Sequence, residues 1–178
     1  RLISIVQDLD MISKFEVGDL NLDIDKFDII TEIQNVFDLL EMKADAKNII
    51  LMFDEKYITP IYVYADKDKI QQVLTNLVMN SIKYGKENGT TEISIERINK
   101  NKVLVRIQDN GDGIEQQHLS RIFERFYRIS KSGSREEGGS GLGLAIVKHI
   151  IEAHNEKIFV QSTPQKGSEF SFTLKTSK

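Results

Sequence analysis

The sequence predicts an α/β fold: a two-layer α/β sandwich in which helices cover one face of a mixed, mostly antiparallel sheet, preceded by an N-terminal helix. Apolar residues recur at helical spacing in long segments near residues 28–48 and 66–84 and from about residue 142, and short alternating segments lie between and after them. Helices and a sheet that each carry one apolar side bury those sides by packing as two layers. We find no internal repeat.

The N-terminal helix carries Leu2, Ile5, Leu9 and Ile12 at alternating spacings of three and four. This spacing places one apolar stripe on a helix that ends near the sequence EVGDL. A coiled-coil assignment needs about three or more heptads. Two interpretations therefore stay open, in which the stripe packs on the domain or forms a seam with another helix.

The segment FDIITEIQNVFDLLEMKADAKN predicts a core-packing helix, with Asp28 as its N-cap. The sequences IILMF and IYVYA predict two short strands on either side of Pro60. Asp66 is then expected to open a helix that continues to about Tyr84.

The second half predicts a hairpin, a helix and another hairpin. Ile93 and Ile95 alternate in one strand and residues 103–107 in the next, around the polar turn NKNK. A polar loop, SKSGSREEGGSG, leads into a helix from about Leu142. The sequence KIFVQSTPQKGSEFSFTL predicts the last hairpin, with apolar residues on one side: Phe170, Phe172 and Leu174.

The composition argues against several classes of function. The chain has 24 Lys and Arg against 27 Asp and Glu, a net charge of −3, so no overall field attracts nucleic acid. It has no cysteine, and its three histidines are not spaced as metal ligands, which argues against zinc. No apolar run approaches the roughly 20 residues that cross a bilayer. We therefore expect that this chain makes no membrane contact. Its composition is compatible with the cytosol, and we expect it to be part of a longer protein.

The glycine-rich sequence GGSGLGLAIVKHI departs from three common phosphate-binding loops. A dinucleotide fingerprint and a protein-kinase glycine loop both need a glycine where Leu144 stands. A Walker loop matches the spacing of Gly138 and Gly143, but Leu144 and Ala145 follow where Lys and Ser or Thr belong. What remains is a backbone whose N–H groups can approach an anion at a helix N-terminus. An ordinary surface loop stays an alternative.

Two further patterns carry polar groups suited to a nucleotide. Asn76, Asn80 and Lys83 share one stripe of the predicted helix, where amide oxygens can bind Mg²⁺ and the ammonium can neutralise phosphate. Structural polar groups beside a core are the alternative. Asp109 ends a predicted strand before the sequence NGDGI, and its carboxylate could accept a hydrogen bond from a purine amine. A simple Asn-Gly turn would explain the same residues.

Four sequences in this order resemble the motifs of one family. NLVMNSIKYG resembles an N box, DNGDGI the first glycine box, IFERFYR an F box and GGSGLGLAIVKHI the second glycine box. The chain thus resembles the ATP-binding catalytic domain of sensor histidine kinases, within the Bergerat-fold superfamily of gyrase and the large heat-shock chaperones. The resemblance implies that residues 1–19 are the end of a dimerisation helix with its linker, and that residues 20–178 are the ATP-binding domain.

The resemblance also implies roles for individual residues, none of them a catalytic acid, base or nucleophile. Asn80 would bind Mg²⁺ with support from Asn76, Lys83 would lie near the phosphates, Tyr84 beside the purine, and Asp109 would accept from the adenine amine. The other nucleotide-binding positions that it implies are Gly111, Gly113, Ile114, Arg128, Arg135, Gly139, Ser140, Gly141, Leu142, Gly143 and Leu144. Arg128 and Arg135 would be mobile phosphate contacts of a lid. Phe123 and Phe126 would pack at the base of this lid, or serve as plain core aromatics.

The reaction implied is transfer of the γ-phosphoryl group of Mg-ATP to a histidine of a dimerisation domain, and onward to an aspartate of a response regulator. The resemblance further implies that the full-length protein is a homodimer, with this part in the cytoplasm and the whole protein anchored in the membrane. The acceptor lies outside this chain, because His118, His149 and His154 lack the expected acceptor context. His149 and His154 are expected to be surface or packing residues.

Three alternatives remain. An ATP-driven clamp of the gyrase and chaperone type would carry Glu where Asn76 stands, and an amide cannot act as the general base for water. A nucleotide-free interaction module would keep only the fold. A serine kinase of the anti-sigma type is disfavoured by the F box and the N-terminal helix.

Overall fold

The computed structural model describes residues 2–18, 20–53, 59–129 and 139–176. The elements, in chain order, are α1 Leu2–Glu16, β1 Ile24–Asp28, α2 Ile29–Asp45, β2 Ile50–Phe53, β3 Tyr62–Asp66, α3 Lys67–Tyr84, β4 Thr90–Asn99, β5 Lys102–Asp109, α4 Gln116–Leu119, α5 Gly143–Ala153, β6 Ile158–Thr163 and β7 Gly167–Thr176.

The strands form one mixed sheet in the order β1-β3-β7-β5-β4-β2, and β6 pairs with β7. Strand β2 runs parallel to β4, and the other described pairs are antiparallel. The predicted two-layer α/β sandwich with a mostly antiparallel sheet is therefore confirmed. The hairpin formed by β4 and β5 also follows the prediction, with Ile93 opposite Ile107 and Ile95 opposite Val105.

Both predicted helix caps are present. The Asp28 carboxylate accepts from the Ile30 amide at 3.1 Å and also from the Ile61 amide at 3.0 Å, so it joins the start of α2 to the chain entering β3. Asp66 caps α3 by accepting from the Lys69 amide at 3.1 Å. Such caps satisfy amides that the first helical turn leaves without partners.

The core lies between the sheet and the layer of α2, α3 and α5. Phe172 of β7 is fully buried, as are Ile33 of α2, Leu74 of α3 and Ile146 of α5. Full burial of a side chain of this size stabilises the fold by about 1.5–3 kcal/mol. The predicted apolar side of the last hairpin is confirmed, because Phe170, Phe172 and Leu174 are all buried.

The N-terminal helix contacts the domain through its last turns. Ile12 is buried, and the ring of Phe15 stacks on that of His149 with centroids 5.2 Å apart. Glu16 forms an ion pair with Arg125. The first part of the predicted stripe stays exposed, since Leu2 is 79% exposed. Docking on the domain therefore accounts for the end of the stripe and not for its beginning.

Strand β1 is not among the elements that the sequence predicts. Its first three residues, Ile24 to Lys26, are exposed, so the segment lacks the alternation that identifies a half-buried strand. It forms because its backbone pairs with β3 at the edge of the sheet. Among the described residues, no helix is both long and apolar enough to cross a bilayer.

Candidate functional site

Helix α3 presents the predicted polar stripe beside its core face. Ile70, Val73 and Leu77 are buried, whereas Asn76 and Asn80 are only half-buried. The helical repeat of 3.6 residues explains this division, because the two asparagines lie one turn apart on the border of the apolar face.

The two asparagines have different surroundings. The side-chain nitrogen of Asn76 donates to the backbone carbonyl of Gly143 at 3.4 Å, which connects α3 to the first residue of α5. Within the described ranges, the Asn80 side chain has no hydrogen-bond partner. Its amide oxygen is thus available to a ligand.

Lys83 and Tyr84 lie at the end of α3 and face the glycine-rich loop and the turn after β5. The Lys83 ammonium lies 4.9 Å from the centroid of the Tyr84 ring. A methyl group placed on Gly139 would approach the same ammonium to 3.0 Å. Tyr84 is 56% exposed, so its ring has room to contact a ligand. The Lys83 ammonium therefore lies beside the glycine-rich loop, which the sequence predicts to bind phosphate.

Asp109 lies at the end of β5 with its carboxylate partly buried. One carboxylate oxygen accepts from the Gly111 amide at 2.9 Å. Burial raises the pKa of Asp109, hydrogen bonds from the Gly111 and Ser168 amides oppose this shift, and the charge of Asp112 adds to it. Desolvation of the carboxylate is the largest of these effects, and an ionised carboxylate has enough lone pairs to accept a further hydrogen bond from a ligand.

The turn after Asp109 packs tightly against the end of α3. A methyl group on Gly111 would come within 2.5 Å of the Tyr84 carbonyl oxygen. The side chain of Asn110 accepts from the Thr90 amide at 2.9 Å and fastens the turn to β4. Only glycine at position 111 allows this approach, which brings Asp109 and Tyr84 into one neighbourhood.

The hairpin between β6 and β7 supports the same turn from the other side, which the sequence did not indicate. Gly113 has φ +70°, and a methyl group there would approach the Thr163 carbonyl oxygen to 2.1 Å. The Ile114 amide donates to the Ser162 hydroxyl at 2.8 Å, and the Gln165 amide donates to the Asp112 carbonyl at 2.7 Å. The sequence signal was weak, since TPQKG is an ordinary turn.

The glycine-rich loop enters α5 without a side-chain cap. The Ser140 hydroxyl accepts from the Leu142 amide at 3.2 Å, and the first turn of α5 has no acidic residue. Leu142 is fully buried, so only its backbone could face a ligand, while Leu144 is half-buried against the core. The free amides of the first turn and the helix dipole favour an anion here.

Gly141 and Phe126 approach each other closely in left-handed conformations. Their φ angles are +75° and +61°, and the Phe126 amide donates to the Gly141 carbonyl at 2.9 Å. Phe126 is 58% exposed, so the interpretation of Phe126 as a core aromatic is wrong. Phe123 is half-buried and meets Phe170 edge-to-face at 6.2 Å, as a core aromatic would. Phe126 carries a side chain, so its backbone is strained at this positive φ, whereas Gly141 is not.

The two arginines predicted for phosphate differ in what can be described. Arg128 is exposed near the end of the F-box sequence, and Arg135 lies outside the described residues, as does Gly138. The described ranges contain no cluster of three or more His, Cys, Asp or Glu side chains able to hold a metal. Mg²⁺ does not require such a cluster, because it commonly takes few protein oxygens and completes its shell with water and substrate phosphate.

Sequence comparison places this arrangement among known proteins. Residues 65–178 match the family model described as histidine kinase-, DNA gyrase B- and HSP90-like ATPase. The sensor histidine kinase WalK of Bacillus subtilis (strain 168) is 35% identical over 176 residues, which are 98% of this chain and 28% of WalK. The chain thus spans less than a third of that relative.

Two solved structures share the fold. Full-length ShkA in complex with AMPPNP superposes with a TM-score of 0.86 at 26% identity, over 99% of this chain and 36% of ShkA. The histidine kinase ThkA in complex with the response regulator protein TrrA superposes with a TM-score of 0.75 at 26% identity, over 99% of this chain and 49% of ThkA.

Proposed function

This chain belongs to the family of histidine kinase-, DNA gyrase B- and HSP90-like ATPases, and on that premise we propose that it binds Mg-ATP and donates the γ-phosphoryl group to a histidine of a dimerisation domain. From there the group passes to an aspartate of a response regulator. The resemblance to WalK and to the complex of ThkA with TrrA supports this order of partners.

The observation that carries the proposal is the convergence of three polar elements at one edge of the sandwich. Lys83 reaches Gly139 of the glycine-rich loop, Asn76 contacts Gly143, and the turn after Asp109 packs on the end of α3. A cation, an uncapped helix N-terminus and a partly buried carboxylate fit the phosphates and the base of a nucleotide. AMPPNP in the similar structure of ShkA supports a triphosphate as the ligand.

We assign the nucleotide contacts as follows. Asp109 accepts from the adenine amine, Tyr84 lies beside the purine and Lys83 neutralises phosphate. Asn80 supplies an amide oxygen to Mg²⁺, and its lack of any other partner among the described residues fits this role. Bound Mg²⁺ would offset the negative charge of the phosphates. The remaining contacts proposed come from the backbone and side chains of Gly111, Gly113, Ile114, Arg128, Arg135 and residues 139–144.

Transfer to a protein acceptor is favoured over steady hydrolysis. Asn76 donates its amide to the Gly143 carbonyl, and an amide has no basic site that could take a proton from water. Phosphoryl transfer depends chiefly on positioning and on charge, which these residues can supply. An ATP-driven clamp of the gyrase type is the alternative, and it would need a base that Asn76 cannot provide.

The domain organisation belongs to the same proposal. Residues 1–19 would be the end of a dimerisation helix with its linker, and residues 20–178 the ATP-binding domain. The exposed beginning of the apolar stripe on α1, including Leu2, supports a partner helix, as expected in a homodimeric kinase. The assignment to the cytoplasmic part of a membrane-anchored sensor rests on the likeness to sensor kinases.

The test is to mix this chain with a dimerisation domain that carries the acceptor histidine and to supply ATP labelled in its γ-phosphate. We expect an acid-labile phosphohistidine on the added domain, and little release of phosphate without it. Steady ATP turnover by the chain alone would favour the clamp. Failure to bind Mg-ATP in calorimetry would leave only an interaction module.

A further inference from the structure

His154 follows the last residue of α5 and uses both nitrogens of its ring. Nδ1 lies 2.7 Å from the Ile150 carbonyl oxygen, and Nε2 lies 3.0 Å from the backbone nitrogen of Asp66. A carbonyl oxygen can only accept and a backbone N–H can only donate, so the hydrogen is on Nδ1 and Nε2 accepts. The contacts therefore require one tautomer of the neutral ring.

The other side of this contact is the cap of α3. Asp66 is 8% exposed, and its carboxylate accepts from the Lys69 amide and from the Asp23 amide, both at 3.1 Å. The start of α3, the end of α5 and the chain leading into β1 thus meet at the Asp66–His154 junction. His154 is thus a hydrogen-bonding bridge, and not the surface or packing residue that the sequence predicts.

A second connection joins the same two helices at the other end of α5. The Asn76 side chain donates to the Gly143 carbonyl at 3.4 Å. The distance along α3 from Asp66 to Asn76 is ten residues, and the distance along α5 from Gly143 to His154 is eleven residues. At 1.5 Å per residue these are about 15 Å and about 16 Å. The helices are antiparallel, and two connections at matched spacing resist sliding of one along the other.

We infer that His154 is a positioning residue for nucleotide binding. By accepting from the Asp66 amide it sets the axial register of α5 against α3. That register determines how residues 139–143 lie against Asn76 and Lys83 of α3. The inference rests on the proposed function, because it assumes that the nucleotide lies between these elements.

The position of His154 beside a cleft does not make it a ligand of that cleft. The cleft, about 470 Å³, is lined by residues that include Leu22, Tyr64 and Lys175. Both ring nitrogens of His154 already have partners in the protein. The ring is thus committed to connecting the two helices.

Two substitutions in the 178-residue chain distinguish the effect of the hydrogen-bond acceptor from the effect of the volume of the ring. His154→Phe keeps a planar ring and removes both nitrogens, whereas His154→Gln places an amide oxygen near the position of Nε2. We expect the Kd for Mg-ATP, measured by calorimetry, to rise roughly three- to tenfold in the Phe variant, because the hydrogen bond from the Asp66 amide that sets the register is lost. The Gln variant should return to within about twofold of the wild type.

The matched control is His149→Gln, which changes another histidine of the same helix outside the junction and should leave the Kd unchanged. A Phe variant that folds and binds Mg-ATP like the wild type overturns the inference. If that variant does not fold, His154→Asn takes its place, because the shorter amide cannot reach the Asp66 amide. Unchanged affinity in the Asn variant would be equally decisive against the inference.

The ring itself gives a readout that loss of packing would not move. Long-range ¹H–¹⁵N correlation spectra of the wild type should show the tautomer with hydrogen on Nδ1, and the Asp66 amide should exchange faster in the Phe variant. The opposite tautomer in the wild type would mean that the junction does not form. A wild-type chain that fails to bind Mg-ATP would instead defeat the proposed function, and the tautomer would still report on the junction.

Discussion

The side-chain nitrogen of Asn76 lies 3.4 Å from the carbonyl oxygen of Gly143 and donates to it across the gap between α3 and α5. Asn80 is one helical turn further along α3 and has no such partner in the part of the chain that the structure describes. Two residues of one type on one stripe therefore have separate tasks. Asn76 connects two helices, whereas we propose that Asn80 offers its amide oxygen to a ligand.

This difference predicts distinct effects of alanine at the two positions. In the wild type, Mg²⁺ should increase the affinity for ATP. In Asn80→Ala we expect this increase to be smaller by on the order of tenfold or more, because an oxygen ligand of the ion is lost. In Asn76→Ala the affinity should fall at every Mg²⁺ concentration, because the first residue of α5 loses its hydrogen bond to α3. Magnesium titrations of ATP binding distinguish the two patterns. An unaltered titration in Asn80→Ala would exclude Asn80 as the metal ligand.

Asp109→Asn should stabilise the empty protein and weaken nucleotide binding. Burial raises the pKa of Asp109 in the folded state, so the folded state binds its proton more tightly than the unfolded state. Stability from this group is present below the unfolded pKa and is lost as pH rises through the raised value. The Asn side chain does not ionise, so it does not lose stability in this way, and its oxygen can still accept from the Gly111 amide. The Tm at neutral pH should therefore rise.

The same substitution should weaken ATP binding by roughly tenfold or more, the value of a hydrogen bond to a charged acceptor. Thermal unfolding at several pH values and calorimetry with Mg-ATP measure the two effects. Asp112→Asn is the matched control, since it removes a neighbouring charge from an exposed position and should leave the affinity close to that of the wild type. Unchanged affinity in Asp109→Asn would remove Asp109 from the site.

The local features of this fold could be predicted from the sequence. Asp28 and Asp66 were identifiable as helix caps because capping depends on residues two or three positions away. The stripe of Asn76, Asn80 and Lys83 followed from helical periodicity alone. Strand β1 could not be predicted, because it pairs at a sheet edge with exposed side chains and carries no alternation.

The features that escaped prediction depend on residues distant in the chain. The role of His154 requires Asp66, 88 residues away. The conformation of Gly141 becomes intelligible only beside Phe126, whose backbone it touches. The sequence indicates which residues are polar or flexible, whereas the register of the packed helices decides which atoms meet.

Gly141 and Gly143 should respond differently to alanine. At Gly141 the φ of +75° and a contact of 2.9 Å to the Phe126 backbone make a methyl group costly, by about 1–2 kcal/mol for the conformation alone. At Gly143 a methyl group would meet, among the described residues, only the Asn76 side chain at an ordinary 4.0 Å. Denaturant unfolding should therefore show a loss in Gly141→Ala and a change near zero or a small gain in Gly143→Ala. Equal effects would contradict the strained geometry at Gly141.

The docking of α1 should weaken as pH falls. The pKa of His149 is lowered chiefly by burial under Phe15 and further by the cations of Arg125 and Lys148, which the carboxylates of Glu152 and Glu16 only partly offset. A folded pKa below the unfolded value means that the unfolded state binds more protons in that range. The stability of docking is then complete above the unfolded pKa and is lost as pH falls through the unfolded value toward the lower, folded one.

The amide chemical shifts of α1, followed across the titration range of histidine, measure this undocking. His149→Phe retains an aromatic ring for Phe15 to stack on and cannot be protonated, so its α1 should stay docked at the low end of the range. Both proteins keep the ion pair of Glu16 with Arg125. A difference between their titrations therefore reports on the substitution at position 149. A His149→Phe chain that loses its α1 contacts at the same pH as the wild type would show that another group drives the change.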